Sequence, residues 1–208
     1  MQYVRGFADH RVSNIQFLEG DILELNSFPE KFDVIECTGV LHHLADPLAG
    51  WQALISRLAP GGVMKIGLYS ESARRHVTEV RQWIKQQGHA PTAKGIRQTR
   101  QEILALPQGD SKREVTSFSD FYSISGARDL LFHVQESTFT FPKIASALGD
   151  LGLEFIGLQI TDSDLKNRYS ALFPDDFRMN NLSNWHKLEN GFPDSFRQMY
   201  IFWCRQSG

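Results

Sequence analysis

Phe32-Asp33-Val34-Ile35-Glu36-Cys37, running on into Thr38-Gly39-Val40-Leu41-His42-His43, and then Leu58-Ala59-Pro60-Gly61-Gly62-Val63-Met64-Lys65-Ile66-Gly67 decide how this chain folds. The first run is a strand by its aromatic and β-branched content. The second reads as a helix end, a Pro-Gly-Gly turn and another strand, apolar almost throughout as a strand buried on both faces should be. Between them Asp46-Pro47 opens a helix as N-cap and first-turn proline. Leu48, Trp51, Leu54, Ile55 and Leu58 recur at three- and four-residue spacing and form one apolar stripe to lay against a sheet. Such a strand–helix–strand unit predicts a parallel sheet that binds ligands where its strands end. Upstream, Phe17-Leu18-Glu19-Gly20-Asp21-Ile22-Leu23 reads as one more short strand ending in Gly-Asp.

The 208 residues are enough for one sizeable core. With 41% hydrophobic and 22% charged residues and a net charge of -2, the chain has no electrostatic case for nucleic acid or an anionic membrane. No stretch has the length and apolarity of a signal peptide or a membrane span. Cys37 and Cys204 lie in apolar, strand-like runs, where a buried free thiol is the default. A reducing, cytoplasmic setting is the simplest reading.

Further along, the pattern predicts helices from about Ser72 to Gln87, with Gly88 as C-cap, and from Thr92 to Leu106. Residues 89–138 stand outside a minimal strand–helix fold and read as an insertion within one domain spanning 1–208. Within the insertion Ser125 is a candidate cap for a short helix ending near Leu131. Another helix covers Thr140 to Leu151, and further helical pieces lie near Leu165–Phe173 and Leu182–Leu188. Leu153–Ile160 and Met199–Cys204 read as strands.

The order of these pieces, with Gly-Asp after one strand, Thr-Gly after the next and Pro-Gly-Gly before the third, resembles the class I S-adenosylmethionine-dependent methyltransferases. The runs Gly67-Leu68-Tyr69-Ser70 and Arg128-Asp129-Leu130-Leu131-Phe132-His133 are similar to bacterial methyltransferase domains joined to tetratricopeptide repeats, although the chain contains no repeats. The resemblance implies an α/β, Rossmann-like sheet of strand order 3-2-1-4-5-7-6 closed by an antiparallel pair. Here it covers strands 3 to 7 only, since sixteen residues before Phe17 are too few for two strand–helix units. It implies S-adenosyl-L-methionine as cofactor, held by Gly20, Asp21 and Ile22 at the adenine and by Cys37, Thr38 and Gly39 at the methionine end. An ionised Asp is an acceptor-only partner suited to an exocyclic amine, although Gly-Asp is also an ordinary turn. His42, Tyr69, Tyr122, Arg128 and His133 are candidates for the substrate side.

Bland readings stand beside these. His42 and His43 diverge by roughly 100° on a helix, so a shared metal is not expected and both serve equally well as structural groups. Arg128 and Asp129 also fit a solvated helix surface. Gly-x-Gly is absent among the sixteen glycines, which removes both a dinucleotide fingerprint and the cofactor loop the resemblance calls for. Two function classes follow. One is a methyltransferase lacking its first two strand–helix units and needing them, or a partner chain, to complete the sheet. The other is a degenerate, non-catalytic module whose open sheet edge binds another protein.

Overall fold

The computed structural model describes residues 14–133, 136–196 and 199–207. The expected strand–helix–strand unit is present as β1 (Phe32–Thr38), α1 (Pro47–Ile55) and β2 (Leu58–Tyr69). Asp46 caps α1 by accepting from the amides of Leu48 at 2.9 Å and Ala49 at 3.2 Å, with Pro47 in the first turn. α1 stops at Ile55, a turn earlier than the stripe suggests, and Leu58 already pairs with Phe32. The register then jumps to Val34 opposite Val63, so Pro60-Gly61-Gly62 is an irregularity inside the β2 span. Gly61 has φ +78°, open only to residues that tolerate the left-handed region.

There follow α2 (Arg75–Gln87), α3 (Ala93–Ala105), α4 (Ile124–Phe132), α5 (Phe141–Asp150), β3 (Leu153–Leu158), α6 (Ser163–Leu172), α7 (Leu182–Gly191) and β4 (Met199–Gln206). α4 is capped by Ser123, which accepts from the Gly126 amide at 2.9 Å, and not by Ser125. Ser123 has the extended backbone an N-cap needs (φ -105°, ψ 156°), whereas Ser125 lies inside the helix.

The four strands form one sheet in the order β1-β2-β4-β3, with β1 and β2 parallel and β4 antiparallel to both its neighbours. This is the 4-5-7-6 half of the order implied by the resemblance, and the architecture is Rossmann-like α/β. The strand expected at 17–23 is not there. Residues 14–20 are irregular, and Ile22–Ser27 form a 3-10 helix capped by Asp21. The reason is topological: in the full order two strands separate this segment from β1, and a strand without a neighbour cannot satisfy its backbone. Ile22 and Leu25 rest on the main core, while Phe17 and Leu18 are 57% and 70% exposed.

Side-chain alternation assigns the two faces. Ile35 and Cys37 of β1, Met64, Ile66 and Leu68 of β2, and Tyr200, Phe202 and Cys204 of β4 point one way by register. That face meets Trp51 of α1, Phe141 of α5 and Trp185 of α7 in the main core. The opposite face carries Val34, Glu36, Lys65 and Trp203, with a Lys65–Glu36 ion pair at 2.9 Å, and is only partly covered. A smaller core, apart from the first, joins α2 to α3 and α4 through Val77, Val80, Ile84, Ile103, Phe121, Leu130 and Leu131.

On β2, Gly67 pairs with Thr38 of β1. A Cβ on Gly67 would stand 2.6 Å from Thr38 Cγ2 and 3.1 Å from its Cα, a contact that only a shift of one strand relieves. Gly67→Ala is therefore expected to destabilise the protein by about 1–3 kcal/mol, the range for an overpacked site. Gly157→Ala in β3, where a Cβ meets nothing within 4 Å, serves as the comparison and should change stability far less. Urea unfolding of the two variants measures the difference.

Candidate active site

β1 ends at Thr38 beside Gly67, two residues before β2 ends at Tyr69, and the chain then turns sharply through Gly39 at φ +80°. A Cβ on Gly39 would meet nothing within 4 Å, so the turn is open to a ligand on its outer side. The Thr38 hydroxyl is buried there without a hydrogen-bond partner. Beyond the turn a short 3-10 helix, Leu41–His43, sets two imidazoles at the carboxyl edge. Residues 136–139 run across this edge as a strap. Ser137 donates its amide to the His42 carbonyl at 2.8 Å, Phe139 to the Tyr69 carbonyl at 2.8 Å, and Glu71 returns a bond to the Phe139 carbonyl at 2.9 Å.

Under the strap the side chains stack. The His42 ring centroid lies 3.7 Å from that of Tyr69, and the Arg74 guanidinium stands over the same tyrosine ring, 4.0 Å from its centroid. Arg74 holds Glu136 through two bonds, Nε to Oε1 at 3.0 Å and Nη2 to Oε2 at 2.7 Å, and Arg81 adds a third at 2.9 Å. The side chains of Arg74 and Glu136 are each 4% exposed. Burial on its own would raise the Glu136 carboxyl, but the two guanidiniums outweigh it and hold the group below its ordinary value. His42 is fully buried with no well-aligned hydrogen bond on either ring nitrogen. Burial, then the neighbouring His43, push it down to about 4, so it is neutral at physiological pH. His43 is half-buried, 5.9 Å and edge-on to Tyr69, and 4.6 Å from His133 at the end of α4. Burial and then His133 lower its pKa as well.

The candidate residues from the sequence are thus divided. Thr38, Gly39, His42, Tyr69 and His133 gather at the carboxyl edge, and Cys37 sits just below with its thiol raised to about 11 by burial. Gly20, Asp21 and Ile22 lie on the segment packed beside α1, where Asp21 spends one carboxylate oxygen on the Leu23 amide at 2.9 Å. Tyr122 and Arg128 are not brought in: both are exposed, Tyr122 resting edge-on against Phe121. Tyr122 belongs to a 3-10 helix whose buried position is taken by Phe121, and α4 turns Ala127, Leu130 and Leu131 inward, which leaves Arg128 outside.

Sequence reading missed Arg74, Arg81 and Glu136, because their pairing spans 55 to 62 residues and no local pattern announces it. It also missed Glu189, buried on α7, whose carboxylate accepts from Ser70 at 2.9 Å and from Tyr200 at 2.6–2.7 Å. Burial raises Glu189, and these hydroxyls, with His186, oppose the shift without cancelling it. The helical period from Leu182 through Trp185 to Leu188 and Glu189 places Glu189 near the buried stripe and was the available signal.

Glu136→Gln should cost about 3–5 kcal/mol, since it leaves a buried guanidinium pair without its counter-charge. The Glu136 pKa in the folded protein lies below its unfolded value. Its stabilisation is therefore complete above the ordinary carboxyl pKa near 4.5 and is lost as pH falls through the lower folded value. Urea unfolding between pH 3 and 7 should show a steeper acid-side loss in the wild type than in Glu136→Gln.

Comparison with known proteins places this geometry. The methyltransferase-domain family matches residues 2–64. An uncharacterised protein of Synechococcus sp. is 29% identical over 165 residues, which are 76% of this chain and 38% of that protein. PKMT2 from Rickettsia typhi in complex with AdoHcy superposes with a TM-score of 0.69 at 15% identity, covering 98% of this chain and 41% of PKMT2. A second structure of PKMT2 from Rickettsia typhi gives 0.66 at 14% identity. The chain thus spans about two fifths of the length of the proteins it matches. Residues 2–64 thus match a methyltransferase domain, and the fold of the chain is that of PKMT2.

Proposed function

We propose that the chain is the carboxyl-terminal part of an S-adenosylmethionine-dependent methyltransferase that needs a further strand–helix layer to bind its cofactor. The observation that carries this reading is the edge at Thr38-Gly39: an unpartnered buried hydroxyl beside an outward-open left-handed turn, on the 4-5-7-6 half of the methyltransferase sheet. PKMT2 holds AdoHcy on a related fold, and AdoHcy is what remains once the sulfonium cofactor has given up its methyl group. When bound, that cofactor supplies an electrophilic methyl on a positively charged sulfur. The residues present fit it in part. Thr38 and the backbone at Cys37 and Gly39 would hold the methionine end, and the second carboxylate oxygen of Asp21, with the backbone of Gly20 and Ile22, would serve the adenine.

The rest of such a site belongs to a layer beyond β1. β1 hydrogen-bonds to β2 alone among the described strands, and its Val34 is 57% exposed. A parallel strand of this composition is ordinarily paired on both edges and covered on both faces. We read the open edge as the seat of two further strand–helix units, on a longer chain or on a partner. The residues α2 to α4 gather over the strap act as a lid above the acceptor. The buried free thiols Cys37 and Cys204 fit a reducing, cytoplasmic setting. The same open edge supports the second reading, a non-catalytic module that binds another protein by strand addition.

Calorimetry with S-adenosylmethionine separates the two readings. The 208-residue chain should bind it at least ~10³-fold more weakly than a chain extended by the two units, because two or three hydrogen bonds of roughly 1.5–3 kcal/mol each are absent. In the extended chain Asp21→Ala should weaken binding by about 1.5–3 kcal/mol. Micromolar binding by the short chain would overturn the assignment of the missing contacts. Absence of binding by the extended chain would leave the interaction module.

A further inference from the structure

His42 has no exposed surface, in contrast to His43 and His133 at the same edge. Its ring packs on Tyr69, with centroids 3.7 Å apart, and on His43 at 4.4 Å. Its carbonyl accepts the Ser137 amide at 2.8 Å, and the Phe139 amide reaches the Tyr69 carbonyl at the same distance. The strap is thus fastened at both ends to the backbone of the stacked pair. The ring of Tyr69 carries the Arg74 guanidinium, and Arg74 is held by Glu136, one residue before Ser137. Solvating the His42 ring therefore works against the contacts that keep the strap in place.

A proton on this ring has nowhere to be balanced. Neither nitrogen makes a well-aligned hydrogen bond, and the Gly67 carbonyl that lies toward the ring is the weakest of the groups acting on it. The titratable and charged groups facing His42 are His43 on its own turn, Tyr69 at the end of β2, Arg74 before α2 and Glu136 on the strap. Behind them stand Arg81 of α2, bonded to Glu136, and Asp129 and His133, which face His43 from α4. Among the described residues, Glu136 is the carboxylate that acts on His42, and it already serves two guanidiniums. A third cation beside it, in a place without solvent, is unfavourable. Tyr69 gives no help, since its phenol keeps its proton.

We propose that the strap at residues 136–139 is an acid-operated latch: uptake of one proton by His42 releases it and opens the carboxyl edge beside Thr38 and Gly39. This goes beyond the methyltransferase reading and does not depend on it. Burial, and then His43, hold the closed ring near 4, whereas a solvated ring returns to its ordinary 6.5. The open form thus takes up the proton that the closed form refuses. The closed form has its full stability above pH 6.5 and loses it as pH falls towards 4. Glu136 gives up its charge only below the ordinary carboxyl value of 4.5, under most of this window, so the first acid step belongs to His42.

Amide hydrogen exchange on the 208-residue chain tests the latch, read at Ser137 and Phe139 and, for comparison, along the β2–β4 ladder. After correction for intrinsic rates, protection of the two strap amides should fall about 20-fold from pH 7 to pH 5, the change that values of 4 closed and 6.5 open require. At both pH values the strap should exchange faster than the ladder, as local opening demands. In His42→Phe, which keeps a ring against Tyr69 and takes up no proton, the fall should disappear, while His43→Gln should retain it. Should His42→Phe fold poorly by circular dichroism, His42→Gln carries the test with the same expectation. No fall in the wild type, a fall that survives in the His42 variant, or one common rate for strap and ladder overturns the latch. The readout is the chain's own amides, so the result stands whatever calorimetry shows of the cofactor.

Discussion

Everything at the candidate site hangs on the parallel pairing of β1 with β2. The pairing of Thr38 with Gly67 sets the end of β1 beside the last residues of β2, two residues before Tyr69. From there Gly39 turns outward, Leu41–His43 folds back over it, and Tyr69 and Ser70 lead into the turn before α2. Had the strands slipped by one residue, Cys37 and Ile66 would leave the core and Thr38 would enter it, because neighbours on a strand face opposite ways. The Pro-Gly-Gly irregularity helps to hold the register. Gly62 sits 2.9 Å, by its would-be Cβ, from the Asp33 carbonyl, a fit that no larger residue makes without moving one of the strands.

The same pairing explains the unequal faces of the sheet. Helices α1, α5 and α7 cover one face, where the large side chains Trp51, Phe141, Trp185 and Phe202 are fully buried. On the other, Val34 and Trp203 share the surface with the pairs Lys65–Glu36 and Arg205–Glu154, both within 2.9 Å and largely solvated. Exposed pairs of this kind contribute about 0–1 kcal/mol each. They offer solubility to an uncovered face more than they bind the strands together. Val34 of β1 stands on the same face and is 57% exposed.

How much of this was legible beforehand depended on the range of the signal. Asp46-Pro47, Gly88, Thr92 and Thr140-Pro142 marked helix ends through caps and turn residues that act within four positions, and the structure uses each of them as expected. Phe17–Leu23 failed because strand propensity is realised only by a neighbour, and none is adjacent among the described strands. In the site, Thr38, His42 and Tyr69 could be placed because they lie at the ends of recognisable strands. Tyr122 and Arg128 could not, since a dense polar sequence says nothing of which side of a helix will be covered. The arginine–glutamate cluster is a property of the tertiary fold alone.

That cluster also ties α2 and α4 to the sheet. Arg81 leaves α2 and grips both the end of α4 and Glu136, while Arg74 holds Glu136 and stands over the Tyr69 ring. Glu136 in turn stands one residue before Ser137, whose amide is bonded to the His42 carbonyl. A displacement of α4 therefore reaches His42 and Tyr69 through three charged groups and one backbone bond, without passing through the main core. Since a buried ion cluster of this kind gains little over apolar packing in stability, its value lies in geometry. It holds α4, and with it His133, at a set distance from the end of β1.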